Sequence, residues 1–410
     1  MKKDHQKYIR FTPDPDGPNA PSPTIYRIIE LLTYMIYLGI STMYIPYLVL
    51  CHLIRKSEED FPSWTLERRI TTRLNKLRVN TLYYWLPPPH EPVIWDDGLS
   101  KTIPPEIGNA YINARGKGEI ELKVIKLNPV KKEYIKGIAN IIEVKPVPIA
   151  GYWISPPTSA GKSNEVAQQD ERVILHIHGG GYIRGHPLWT TFPMEIAKST
   201  KLRCLSVNYR KTLSSDTAFP APLLDVLSAY LYLIQDLKFN ARDIILLGES
   251  AGGHLSLFLS QYLNDLGLDQ IGYMILSSPW SNFDLSQPYR YKSYLKNSNY
   301  CQLSPLRLNR AIKSAARYYN EGFLNSNYAS PCKMHINGWN HLKEHRTRVY
   351  IHYGGRELFR DECIELANGM KRDGVDVRTR IDPDGLHTSG MNGEAGKIFK
   401  KDVLQILDIT

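Results

Sequence analysis

Two short segments carry residue types whose combination can perform acyl transfer. Gly248-Glu249-Ser250-Ala251-Gly252-Gly253 fits G-x-S-x-G, a pattern that sets a serine on a sharp strand-to-helix turn with its hydroxyl exposed. Upstream, His178-Gly179-Gly180-Gly181 is a glycine run able to bring backbone N–H groups close to a substrate carbonyl. Each pattern alone recurs by chance. Together, each at the end of an apolar strand-like run, they point to Ser250 as an activated nucleophile. The carbonyl oxygen of an attacked ester gains negative charge, and each fixed N–H donor stabilises it by roughly 3–4 kcal/mol. Gly180 and Gly181 are the expected donors, with the Ala251 amide as a third. Gly248 and Gly252 keep the serine turn free of side-chain collisions, while Gly179 and His178 shape the upstream loop. No Gly-Lys-Ser/Thr follows the glycine run and no helix-opening G-x-G-x-x-G is present, which argues against a phosphate loop.

A serine hydroxyl needs a base, and the base needs an orienting acid. In the arrangement that G-x-S-x-G marks, the chain order is serine, acid, histidine. His387, in Asp382-Pro-Asp-Gly-Leu-His387, lies just past the last strand-like run and close to the C-terminus. It fits better than His352, inside a strand, or His341 and His345, which precede that strand. The acid is expected in Gly354-Gly-Arg-Glu-Leu-Phe-Arg-Asp-Glu362. Glu357 is nearer the strand end and is favoured. Asp361 is the fallback, its alternative role being a carboxylate that stabilises a helix start. His176 shares the face of His178 and is expected to pack in the core.

The elements that must position these groups are legible from Val173 onward. Short strand-like runs at 173–177, 204–207, 243–248, 273–277, 348–352 and 375–381 alternate with helical spacing at 223–237 and 253–266. That alternation predicts an α/β fold, a mostly parallel sheet with helices on both faces. The stretch from Pro279 to His345 breaks the alternation and reads as a lid.

Ahead of this unit, Leu31 to Cys51 carries no charged side chain and has the length of a bilayer-spanning helix, though Gly39, Ser41, Thr42 and Pro46 temper its hydrophobicity. The alternative is an amphipathic helix on the membrane or over the enzyme's own pocket. A cleaved signal peptide does not fit a run so late and so long. Basic residues Arg55, Lys56, Arg68 and Arg69 follow it and only Arg27 closely precedes it, a bias that puts the C-terminal bulk in the cytoplasm. The absence of an N-x-S/T sequon agrees. The expected organisation is a Pro-rich tail over 1–24, a membrane helix over 25–56, and a catalytic domain over 57–410 with cap contributions from about 57–110 and 281–345. The net charge of +10 is spread among acidic residues, so no nucleic-acid partner is expected. The five cysteines form no C-x-x-C pair. Free buried thiols are the favoured reading, with a Cys301–Cys332 bridge as the alternative, and no metal or cofactor is expected.

His178-Gly-Gly-Gly-Tyr182 with Gly248-Glu-Ser-Ala-Gly-Gly253 resembles the hormone-sensitive-lipase-like branch of the α/β-hydrolases, a group that includes arylacetamide deacetylases and carboxylesterases. Asn208-Tyr-Arg210, Phe219-Pro-Ala-Pro-Leu223 with Asp225, and Ser277-Ser-Pro-Trp280 extend the resemblance over about residues 110–410. That group places aspartate where Glu357 stands, a departure that preserves the charge. The resemblance implies an α/β-hydrolase fold and a serine carboxylesterase. The apolar segment ahead of it is similar to fungal steryl acetyl hydrolases, which implies a short-acyl ester of a lipophilic alcohol and an anchor in the endoplasmic reticulum. It also implies a lumenal catalytic domain, opposite to the charge bias. The lid aromatics Trp280, Phe283, Tyr289, Tyr291, Tyr294 and Tyr300 suit such a substrate or form lid core. Plant gibberellin receptors in this group lack the histidine, so His387 argues for catalysis over ligand binding alone.

Overall fold

A computed structural model describes residues 23–54, 64–85, 105–284, 286 and 290–409. Eight strands form one sheet: β1 Glu121–Leu127, β2 Ile149–Ser155, β3 Val173–Ile177, β4 Cys204–Val207, β5 Ile244–Glu249, β6 Tyr273–Ser277, β7 Arg348–Gly354 and β8 Asp376–Asp382. Their order is β1-β2-β4-β3-β5-β6-β7-β8. β1 and β2 pair antiparallel, as do β2 and β4; every other pair is parallel. The two antiparallel strands lie outside the βα alternation that marks the rest, and the sequence pattern did not single them out.

The labelled helices are α1 Pro23–Ile54, α2 Leu66–Trp85, α3 Pro105–Gly116, α4 Phe192–Thr200, α5 Ala221–Leu231, α6 Ala251–Leu266, α7 Lys292–Asn297, α8 Pro305–Ala315, α9 Arg360–Arg372 and α10 Gly393–Ile406. The helical spacing read over 223–237 resolves into α5 followed by one π-turn at Tyr232–Asp236. Burial on both faces of the central parallel strands β3 to β7 explains their continuous apolar runs, whereas the edge strand β8 is mostly exposed. Leu175, Ile177 and Leu246 pack with α5, α6 and α9 on one face. Ile174, Ile245 and Leu247 pack with α4 and α10 on the other. Each fully buried Leu or Ile contributes about 1.5–3 kcal/mol, so the sheet that carries the site is held from both sides.

Register brings the functional loops together. Ile177 lies opposite Gly248, so the glycine run and the serine turn leave the sheet side by side. Gly354 lies opposite Asp382, which does the same for the acid and histidine loops. Pro279 to His345 folds into short helices, α7 and α8 among them. Phe283, Tyr291 and Tyr294 are buried in the core beneath this region. Tyr300 packs edge-on against Trp64 at 5.7 Å. Of the described lid aromatics, Trp280 alone lines the cavity at the triad; Phe283, Tyr291 and Tyr294 are lid core, Tyr300 is half-buried, and Tyr289 lies outside the described residues. Cys204, Cys301, Cys332 and Cys363 are buried free thiols. Of the tail expected over 1–24, residues 1–22 lie outside the described residues, and the helix begins two residues earlier than expected, at Pro23, where proline's fixed φ suits a first helical position.

Candidate active site

Ser250 stands between β5 and α6 with φ 54° and ψ −119°, a conformation that costs a non-glycine residue about 1–3 kcal/mol. The turn is clamped into it: the Ser250 amide donates to the Ser277 carbonyl at 3.0 Å, and the Ser250 carbonyl accepts from Trp280 at 3.0 Å. Gly252 permits the close crossing, since a Cβ there would overlap the Ile177 carbonyl. The hydroxyl meets His387 Nε2 at 2.9 Å. His387 Nδ1 meets Glu357 Oε2 at 2.7 Å, and Glu357 Oε1 accepts from the Gly354 amide at 2.9 Å. Glu357 is fully buried. An ionised carboxylate only accepts, so the contact fixes the proton on Nδ1 and leaves Nε2 to accept from the serine hydroxyl.

Backbone bonds hold the acid and histidine loops to each other. Gly355 donates to the Asp382 carbonyl at 2.7 Å and Arg356 to the Gly385 carbonyl at 2.9 Å. Phe359 presents an edge to the His387 ring at 5.0 Å. Asp361 is elsewhere: it sits in the first turn of α9, and its carboxylate accepts from the Ser293 amide at 2.9 Å. His352 is buried within β7, and the His341 imidazole contacts Ser260 Oγ at 3.1 Å.

The glycine loop divides its amides between structure and site. Gly179 donates to Glu249 Oε1 at 2.9 Å, which removes it as an oxyanion donor. The Gly180 and Gly181 amides have no acceptor among the described residues. Gly180 has φ 124°, and a Cβ there would overlap the Arg184 carbonyl; at Gly181, φ 65°, a Cβ would meet nothing within 4 Å. The Ala251 amide opens α6, where helix geometry leaves it without an intrahelical acceptor. His178 stacks on Tyr209 with ring centroids 4.3 Å apart, and its Nδ1 contacts the Gly179 carbonyl at 2.7 Å. Burial, aided by the Lys211 charge, holds its pKa well below the ordinary histidine value. It is therefore a neutral prop for the loop.

Glu249 is the site residue that motif reading passed over. Besides holding Gly179, its carboxylate meets His176 Nε2 at 3.0 Å, and His176 Nδ1 meets Ser206 Oγ at 2.5 Å. His176 is thus buried, as its place in β3 implies, but as a polar link between β4 and the serine turn and not as apolar packing. An acidic residue ending an otherwise apolar strand was the available signal. Arg210 and Asp225 form a buried ion pair at 2.8 Å behind the site.

A cavity of about 280 Å³ opens onto Ser250 and His387. Gly180 and Gly181 form one wall, and Ser304, Leu308 and Ala311 from the start and one face of α8 form another. No cluster of His, Cys, Asp or Glu suited to a metal ion occurs among the described residues.

A family model described as alpha/beta hydrolase fold matches residues 174–390, the span from β3 past His387. A protein of Schizosaccharomyces pombe named as a steryl acetyl hydrolase is 25% identical over 241 residues, 55% of this chain and 61% of that protein. An acetyl-hydrolase of Streptomyces hygroscopicus is 30% identical over 117 residues, 28% of this chain and 38% of that one. The chain thus spans between 38% and 61% of these two relatives. Among solved structures, the metagenomic hormone-sensitive-lipase homologue EstE7 superposes with a TM-score of 0.56 at 19% identity, covering 86% of this chain and 99% of that one. A bacterial esterase of the hormone-sensitive lipase family gives 0.55 at 18%, covering 89% and 97%. At that identity the superpositions speak for the fold alone. With its sheet order, its serine turn and a matching family model over more than half its length, the chain belongs to the α/β-hydrolase fold family.

Proposed function

We propose that this protein is a membrane-associated serine carboxylesterase that removes a short acyl group, acetyl in the first instance, from an ester of a lipophilic alcohol. The observation that carries the reading is the unbroken chain from Ser250 Oγ through His387 to Glu357, facing the unpaired amides of Gly180 and Gly181. Ser250 Oγ attacks the carbonyl carbon as its proton passes to His387 Nε2. Glu357 holds the ring and stabilises the imidazolium, and the Gly180, Gly181 and Ala251 amides stabilise the oxyanion. Collapse of the tetrahedral intermediate expels the alcohol, which takes the proton from His387. Water, deprotonated by the same nitrogen, then attacks the acyl-enzyme carbonyl and releases the acid and free Ser250.

The cavity lies just below the roughly 300–1,000 Å³ of common ligand pockets, with room for a short acyl group beside Ser250. The name carried by the S. pombe relative makes steryl acetates the first esters to try. Leu31–Leu50 of α1 is long and apolar enough to cross a bilayer, and Leu31, Met35, Met43 and Leu50 on it are exposed. We place this helix in the membrane; the endoplasmic reticulum is assigned by resemblance, and co-fractionation with that membrane checks it. A fluorophosphonate probe tests the reaction class. Labelling of the purified protein that vanishes in Ser250→Ala is expected, and an unlabelled wild type would remove the enzyme reading.

A further inference from the structure

The lid reaches both triad loops through two side-chain amides. Asn297 Nδ2 donates to the Glu357 carbonyl at 2.8 Å, and Gln302 Nε2 donates to the His387 carbonyl at 3.2 Å. Between them the chain makes a tight turn, with the Tyr300 and Cys301 amides donating to the Asn297 carbonyl at 3.0 and 2.9 Å. One short strap therefore holds the backbone of the acid and of the base at once.

The strap is held in turn by α2. The Lys76 ammonium donates to the Cys301 carbonyl at 3.0 Å and to the Ser298 carbonyl. The Arg73 guanidinium lies 4.3 Å over the Tyr300 ring, whose edge-on partner is Trp64. Arg68 of the same helix reaches the histidine loop directly, donating to the Asp384 carbonyl at 2.9 Å. α2 itself packs against α1.

We propose that α2 and the Asn297–Gln302 strap form a positioning element that sets Glu357 against His387, so that the N-terminal segment serves the reaction as well as the membrane. The proposal rests on the triad reading above. A carboxylate, an imidazole and a hydroxyl in series tolerate little displacement, and a shift of about 1 Å from a remote change costs on the order of 100-fold. Without the strap, the Glu357 and His387 loops retain their bonds to each other but lose their shared outer support. None of these strap and α2 side chains lies in the serine or glycine motifs.

The test uses the full chain in detergent, comparing wild type with Gln302→Ala, Lys76→Met, Lys76→Arg and the remote surface control Lys397→Ala. Turnover of p-nitrophenyl acetate is expressed per fluorophosphonate-labelled site, which discards molecules that fail to fold. In parallel, hydrogen exchange is followed in peptides covering 354–362 and 382–390. Lys76→Met, at a residue off the cavity, is expected to lose about tenfold or more in kcat with KM within about twofold; Gln302→Ala, at a residue that also lines the cavity, should lose at least as much in kcat, and both should exchange faster in both peptides. Lys76→Arg should recover most of both losses. Unchanged exchange in the two peptides overturns the positioning element whatever the activity, and so does unchanged kcat per labelled site. A wild type that neither labels nor turns over removes the esterase reading instead, and the exchange data still decide the strap.

Discussion

Replacing Glu357 by glutamine changes one atom's chemistry and leaves the shape of the site intact. The structure determines which way the new amide must face. Glu357 Oε1 accepts from the Gly354 amide at 2.9 Å, so the glutamine oxygen takes that place; the reverse orientation would set two donors against each other at a fully buried side chain. The NH₂ group then faces His387 Nδ1, across the 2.7 Å that the carboxylate now spans. A donor there requires Nδ1 to accept, which moves the ring proton to Nε2, where it opposes the Ser250 hydroxyl. The base is then protonated on the wrong nitrogen. A forced tautomer of this kind costs about 10⁴-fold in kcat, or about 5.5 kcal/mol of barrier at 1.36 kcal/mol per tenfold. Substrate binding is barely touched, so KM should stay within a few-fold. Steady-state hydrolysis of p-nitrophenyl acetate, normalised to labelled sites, measures it. Asp361→Asn is the matched comparison and should retain activity within about threefold, because Asp361 serves the start of α9, the Ser293 amide and a long ion pair with Arg360, and none of these is a triad group. If Glu357→Gln kept more than a tenth of wild-type kcat, or Asp361→Asn lost the larger share, the assignment of the acid and the tautomer argument would both be refuted.

Gly180→Ala should abolish measurable turnover, at least 100-fold down, because its Cβ would overlap the Arg184 carbonyl and displace the loop. Gly181→Ala, strained by its φ of 65° but with open space at its Cβ, should lose less; equal losses would contradict the loop geometry. Glu362 is fully buried, and neither carboxylate oxygen has a partner among the described residues. Burial, reinforced by the Glu357 charge, pushes its pKa well above the ordinary carboxylate value. The folded state therefore holds its proton to higher pH than the unfolded chain, and stability falls as pH rises above about 4.5 through this group. Glu362→Gln should raise the melting temperature at pH 8 and do so less at pH 5; a gain that shrinks with rising pH would be the wrong sign. For topology, Pro157→Asn creates a sequon with Thr158 and Ser159 on an exposed loop. Glycosylation there would place the catalytic domain in a lumen, whereas its absence alongside a glycosylated control on the opposite side of α1 would support the basic-residue bias.

Local chemistry was legible in the residues themselves. A serine between glycines, an apolar run before it and helical spacing after it are short-range signals, since backbone strain at one residue dictates its near neighbours. The same holds for the glycine run after β3, for the α/β alternation, and for α1, whose length and apolarity match a bilayer whatever surrounds it. Other features lay out of reach because they depend on contacts between distant segments. Glu357 is favoured over Asp361, four residues on, by its place near the strand end, but its contact with His387 and the turning of Asp361 toward Ser293 follow from the pairing of β7 with β8, which sets Gly354 opposite Asp382. Glu249 reads as an ordinary strand end until β3 lies beside β5 and delivers Gly179 and His176 to it. Asn297, Gln302 and Lys76 carry no motif at all. Their placement on the triad loops follows from how the lid and α2 fold back over the sheet, and hydrogen bonds between residues so far apart in the chain leave no periodic trace in it.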